Sequence, residues 1–185
     1  MLRLIGICLT LAGSFGSGLA FCREKSRHAG TLFLLAELFL RMAEEIGYSA
    51  ERLPGIFFQM SVWLAKDAEK DRSGKEEASA LAEALLHCAD RLEQESSEPL
   101  EAVWNAELGA WAAQTVLSRE ETEKLLSFAK EQGFPDRERQ RQWLLRLSGD
   151  FKSRAESVFE KAASEKRMVL SVSLAAGALV VVLFW

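Results

Sequence analysis

The stretch EQGFPDRERQRQWLLRL, residues 131–147, marks the boundary between two predicted helices. Gly133 is suited to end the first, because a glycine in the left-handed conformation closes many helix C-termini. Asp136 is suited to cap the second, since its side chain can accept hydrogen bonds from backbone N–H groups of the first turn. Glu138 in that turn suits the helix dipole, whereas Arg137 opposes it. We therefore predict that Arg137 pairs with a carboxylate elsewhere in the bundle, with Glu45 as the candidate.

Apolar residues on both sides of this turn recur at helical spacing. Downstream they recur at steps of three and four, at Leu144, Leu147, Phe151, Ala155, Val158 and Ala162. No proline interrupts this pattern, so one helix is predicted from Arg137 through Arg167 into the C-terminal apolar run. Upstream, similar patterns and end signals predict helices over about 29–47, 54–70, 75–93, from 99 onward and from 118 to 133. Gly47 is suited to end the first of these, and Phe33, Leu34 and Leu38 are expected to widen its buried apolar stripe. Pro54 suits the first turn of the second helix, the DRSG sequence at 71–74 predicts a loop, and Ser118 with Glu121 predicts a capping box. The sequence thus predicts an all-α chain with a bundle of about five to six helices.

Two uncharged runs stand at the ends of the sequence. Residues 4–22 and 168–185 contain no charged side chain, and about 20 apolar residues are needed to cross a bilayer as a helix. We predict an N-terminal transmembrane helix over 1–22, a helical bundle over 23–167 and a C-terminal transmembrane helix over 168–185. A signal peptide cleaved after Ala20 is the alternative for the first run. A single basic residue before the run and a basic cluster directly after it favour retention of the segment.

The charges flanking these runs predict the orientation of the chain. Arg23, Lys25 and Arg27 follow the first run, and Lys161, Lys166 and Arg167 precede the second. Basic residues next to membrane spans stay on the cytoplasmic side. The sequence therefore predicts a multi-pass protein of the cell membrane whose bundle lies in the cytoplasm.

Composition and motifs exclude most catalytic and nucleic-acid-binding classes. The middle of the chain contains 22 basic and 27 acidic residues, a net charge of −5, which gives no basic surface for nucleic acid. The whole sequence has no glycine-rich nucleotide motif, and its two histidines and three cysteines form no spacing typical of a metal site. Paired glutamates such as those at 44–45, 76–77 and 120–121 are typical of solvated helix faces. We predict no enzyme activity, no cofactor and no metal.

Several short sequences, in order, resemble the stage III sporulation protein AB family of endospore-forming bacteria. They are Glu45-Ile46 with Tyr48, Glu101-Ala102 with Trp104, and Asp136-Arg137-Glu138 with Gln140. The chain departs from the family at Glu51-Arg52-Leu53, where Thr-Pro-Leu is usual, and at Gln132-Gly133, where Leu-Gly is usual. The resemblance makes seven residues candidates for a structural or interaction role: Glu45, Tyr48, Trp104, Asp136, Arg137, Glu138 and Gln140.

The resemblance implies a non-enzymatic component of the secretion-like complex that links mother cell and forespore. In that family the soluble part is a bundle similar to the cytoplasmic domains of type II secretion inner-membrane platform proteins. The implied location is the mother-cell membrane facing the forespore. The implied partners are the stage III sporulation ATPase (protein AA) and other proteins of that complex, and a homo-oligomer is compatible with this layout.

Two alternatives to this role stay open from the sequence. The first is a membrane-tethered helical adaptor unrelated to sporulation, and the second is a membrane-bound hydrolase that uses Glu or Asp. For the charged residues of the stretch 131–147, a structural role at a corner of the bundle is favoured over a role as a docking site.

Overall fold

The computed structural model describes residues 2–48, 52–70, 75–94, 98–131 and 137–184. Within these ranges the side chains of residues 2–22, 69–70, 131, 166–170 and 173–184 are not described. The described ranges contain six helices and no strand, which confirms the predicted all-α class. These helices are α1 Leu2–Tyr48, α2 Leu53–Lys70, α3 Lys75–Gln94, α4 Leu100–Ala112, α5 Arg119–Glu131 and α6 Arg137–Phe184.

The starts of α4 and α5 follow the signals predicted for them. Pro99 has an extended backbone (φ −69°, ψ 139°), and its carbonyl accepts the first hydrogen bonds of α4. At α5, the Ser118 hydroxyl accepts a hydrogen bond from the Glu121 N–H at 3.3 Å. The Glu121 carboxylate in turn accepts the Ser118 N–H at 2.8 Å. This reciprocal pair is the predicted capping box.

The long terminal helices differ in one respect from the prediction. α6 runs without interruption, as predicted, but α1 joins the N-terminal run and the predicted helix at 29–47 into one element. The intervening basic residues are good helix formers, and Gly30 alone does not end a helix. The predicted end signals Gly133 and Asp136, and the predicted loop at 71–74, lie outside the described residues.

Aromatic side chains fill the centre of the bundle. Phe39, Phe57, Trp104, Phe128 and Phe151 are all buried, and each ring lies within 6.2 Å, centroid to centroid, of another ring of this group. The rings come from α1, α2, α4, α5 and α6, so five helices meet in one cluster. Burial of this much aromatic surface is a dominant contribution to the stability of such a core.

Polar contacts inside the bundle join helices that are far apart in sequence. The Thr31 hydroxyl of α1 donates to the carboxylate of Glu77 at 2.8 Å, although Glu77 is only 8% exposed. The Trp111 indole of α4 donates to the backbone carbonyl of the same Glu77 at 3.2 Å. Further along α1, the Ser148 hydroxyl of α6 donates to the carbonyl of Ala36 at 2.7 Å. These bonds satisfy polar groups whose burial would otherwise be costly.

The chain divides into two compact units, of which Gly30–Ala155 is the larger. The smaller contains residues 1–29 and 156–185, and in it the Lys25 ammonium pairs with the Glu165 carboxylate. Among the residues with described side chains, no helix combines the length and the hydropathy that a membrane crossing requires. The predicted runs 4–22 and 168–185 lie outside those residues, except for Ser171 and Val172. The two predicted spans are therefore not confirmed by the structure.

Candidate functional site

The end of α1 and the start of α6 form the two walls of an open groove, which we call the corner groove. Both segments belong to the larger unit. Its volume is about 610 Å³, and its described lining residues are Glu44, Glu45, Gly47, Tyr48, Glu138 and Arg141. Three carboxylates and one guanidinium give these six residues a net charge of −2. Charged residues at the start of α6 therefore contribute one wall of a surface depression.

Gly47 allows the two walls to approach each other closely. A Cβ atom at this position would lie 2.9 Å from Cδ and 3.1 Å from Nε of Arg141. The Arg141 guanidinium reaches the Glu138 carboxylate at 3.4 Å, and Gln142 donates to the same carboxylate at 3.1 Å. A side chain at position 47 would displace Arg141, so glycine here shapes the groove as well as standing near the helix end.

The residues suggested by the family resemblance separate into two groups. Glu45, Tyr48 and Glu138 line the corner groove, and Arg137 and Gln140 lie on the same turn of α6 as Glu138. Their exposure differs, since Arg137 is exposed and Gln140 is partly buried. The predicted pairing of Arg137 with Glu45 stays a prediction, and Asp136 lies outside the described residues.

Trp104 belongs to the core and not to the groove. Its ring is fully buried, and its indole N–H donates to the carbonyl of Leu125 at 3.1 Å. The ring lies 4.5 Å from that of Phe128 and 5.4 Å from that of Phe57. These contacts assign Trp104 a packing role at the junction of α2, α4 and α5.

Three groove residues were not singled out as site candidates from the sequence. In the sequence, Glu44 belongs to a glutamate pair, Gly47 is a helix-end signal, and Arg141 is one of several neighbouring charged residues. The missing information is the proximity of positions 44–48 to positions 138–141. Residues about 90 positions apart carry no local pattern that predicts such a contact.

Charged side chains elsewhere in the bundle connect neighbouring helices. Arg91 binds the Glu98 carboxylate at 2.8 Å and the Glu107 carboxylate at 2.8 Å, which ties α3 to the residues before α4 and to the middle of α4. The pKa of Arg91 is raised by its hydrogen bonds with Glu107 and then Glu98. Arg154 of α6 similarly contacts Glu121, which is 4% exposed, at 3.2 Å. These contacts give Arg91, Arg154 and their partner carboxylates a structural role.

The thiol of Cys88 lies within the packed region near the Arg91 network. It is fully buried, and burial, followed by the nearby charge of Glu107, raises its pKa to about 12. A thiol with such a pKa is a poor nucleophile at neutral pH. In the described part of the chain, no three His, Cys, Asp or Glu side chains come together in a way that could hold a metal ion.

Comparisons with known proteins identify a family but no individual relative. No curated protein and no solved structure matches the chain. The family model described as stage III sporulation protein AB matches residues 3–185, essentially the whole chain. This family implies a role in sporulation. The match agrees with the resemblance carried by Glu45-Ile46, Tyr48, Trp104 and the Asp136-Arg137-Glu138 turn, and the chain belongs to the stage III sporulation protein AB family.

Proposed function

We propose that this chain is a non-enzymatic platform component of the secretion-like complex that links mother cell and forespore. The observation that carries the proposal is the family match over residues 3–185. The packing of the bundle is consistent with a scaffold, because its centre is filled by aromatic rings and its buried carboxylates are bonded to other helices. On this proposal the chain acts by holding other proteins in position.

The proposed role includes anchoring by the two apolar runs. Residues 4–22 belong to α1, and residues 168–184 of the second run belong to α6. Basic residues adjoin both runs on the side of the bundle, which favours a cytoplasmic bundle and a multi-pass protein in the mother-cell membrane.

Cysteine labelling tests this topology, provided that the reporter is exposed. Cys88 is unsuitable because it is fully buried. Glu83 lies on the exposed face of α3, so a Glu83→Cys chain carries an accessible thiol. With an impermeant thiol reagent added outside intact non-sporulating cells that express the chain, we expect labelling at position 83 only after the cells are opened. Equal labelling before and after opening would reverse the proposed orientation.

The proposed partner is the stage III sporulation ATPase (protein AA), which the bundle would couple to the membrane complex. Removing the chain from its host should block sporulation after engulfment and leave vegetative growth unchanged. Photo-crosslinking groups placed on the bundle during sporulation should capture the ATPase. A growth defect in vegetative cells, or sporulation at the parental frequency without the chain, would contradict the proposed role.

A further inference from the structure

We propose that the corner groove binds an arginine- or lysine-bearing segment of a partner protein. The inference rests on the proposed function, since it assumes that the chain acts by holding another protein. It goes further by naming the surface used and the chemistry of what binds there. The cation would lie against the ring of Tyr48 and beside the carboxylates of the groove.

The first argument is the environment of Tyr48. It is the only tyrosine of the chain, and 98% of its surface is exposed. A ring in this position contributes almost nothing to the packing of the bundle. Tyrosine is, however, among the residues that contribute most when an interface covers them, because its ring is large and rigid and its hydroxyl can bond. The exposure of Tyr48 at the rim of a groove therefore favours a contact with a second molecule.

The second argument is charge complementarity. The described lining residues comprise Glu44, Glu45 and Glu138 against the single cation Arg141. Arg141 already contacts Glu138, so the exposed carboxylate of Glu44 is the group that favours a cationic segment over an acidic one. The face of an aromatic ring also attracts a cation. Ring and carboxylates thus favour the same kind of occupant.

The third argument is that the chain already uses this chemistry at Arg41, about two turns before Tyr48 in α1. The guanidinium carbon of Arg41 lies 4.3 Å from the ring centroid of Trp63, and the same guanidinium binds Glu37 at 2.9 Å. A guanidinium between an aromatic ring and a carboxylate is therefore present within the bundle. The corner groove likewise contains an aromatic ring, that of Tyr48, and a carboxylate, that of Glu44. Unlike Trp63, Tyr48 does not pack into the bundle.

The test uses the full chain in lipid nanodiscs, labelled with 3-fluorotyrosine. Because Tyr48 is the only tyrosine, a single fluorine resonance reports directly on the groove. The probes are a short arginine-rich peptide and a glutamate-rich peptide of equal length. We expect the arginine-rich peptide to shift the resonance saturably and the glutamate-rich peptide to leave it unchanged. A shift with the glutamate-rich peptide alone, or with neither peptide, would overturn the proposal.

Two charge reversals separate the groove from the overall charge of the chain. Glu44→Lys lies in the groove, and Glu83→Lys makes the same change on the exposed face of α3. We expect Glu44→Lys to weaken peptide binding by roughly three- to tenfold, and Glu83→Lys by less than about twofold. Equal weakening by both would show attraction to the chain in general and would overturn a specific site.

The same pair distinguishes this proposal from the proposed function. Each variant is expressed in a strain that lacks the chain. If Glu44→Lys restores sporulation as well as Glu83→Lys does, the groove is not the surface that binds the partner, although the platform role stands. If the chain is dispensable for sporulation, the platform role fails whatever the peptides show. A chain that requires Glu44 for both peptide binding and sporulation supports both proposals.

Discussion

Replacing Trp104 by phenylalanine tests the packing on which the corner depends. The indole is fully buried, lies 4.5 Å from the ring of Phe128 and donates to the carbonyl of Leu125 at 3.1 Å. Phenylalanine keeps the six-membered ring but leaves a small cavity, which costs about 1–2 kcal/mol together with the lost apolar burial. The lost hydrogen bond adds about 1 kcal/mol. We expect Trp104→Phe to lower the free energy of unfolding by about 2–3 kcal/mol.

The measurement is urea unfolding of the full chain in mild detergent, followed by far-ultraviolet circular dichroism. Trp63→Phe is the matched control, because Trp63 is only partly buried and has the Arg41 guanidinium 4.3 Å from its ring centroid. Its loss should stay below about 1 kcal/mol, since a partly exposed cation–π contact contributes little. Equal losses in the two variants, or a loss below about 0.5 kcal/mol for Trp104→Phe, would refute the central position assigned to Trp104.

Three further substitutions and one chemical reaction test other features of the fold. Gly149→Ala should raise the free energy of unfolding by about 0.5–1 kcal/mol, because a Cβ meets nothing within 4 Å there. Gly47→Ala, measured in the same urea series, should gain less because its Cβ meets Arg141, and equal gains would refute that contact. Ser118→Ala should cost about 1 kcal/mol by removing the α5 cap, and an unchanged unfolding midpoint would contradict the capping role. At pH 8, Cys88, whose pKa is raised to about 12, should react with iodoacetamide at least about a thousandfold more slowly than an exposed thiol. Peptide mapping measures this rate, and rapid alkylation of the folded chain would contradict the burial of Cys88.

Helix positions could be predicted from sequence because their signals are local. The predicted start of the second helix at residue 54 and the observed start at Leu53 differ by one residue, and Pro54 lies in the first turn as expected. The capping box at Ser118 and Glu121 was predicted in the same way and is confirmed. In each case the residues that determine the element lie within about four positions of one another, as helix signals do.

Which faces of the helices are buried, and which helices contact one another, could not be predicted with the same success. Phe33 was expected to widen the buried stripe of α1, but it is 39% exposed, whereas its neighbour Leu32 is fully buried. The periodic pattern gives the centre of a buried face, and only the neighbouring helices determine how wide it is. The Thr31–Glu77 bond was also unforeseen, because a glutamate in a pair at a helix start is ordinarily solvated. Its burial depends on α1 lying against the first turn of α3.

Tyr48 and Trp104 show why burial has to be known before a role is assigned. Both were selected by the same family resemblance, yet one is 98% exposed and the other is fully buried. A substitution of Trp104 acts on folding and reaches the corner groove only through the stability of the bundle. A substitution in the groove at Glu44 leaves the core intact and acts on whatever the groove contacts. Loss of sporulation in a Trp104 variant therefore cannot support a docking role, because the variant also loses stability. Loss of sporulation in a stably folded Glu44→Lys variant can support it. Only the Glu44→Lys variant therefore tests whether the corner groove, with its wall at the start of α6, is a binding surface.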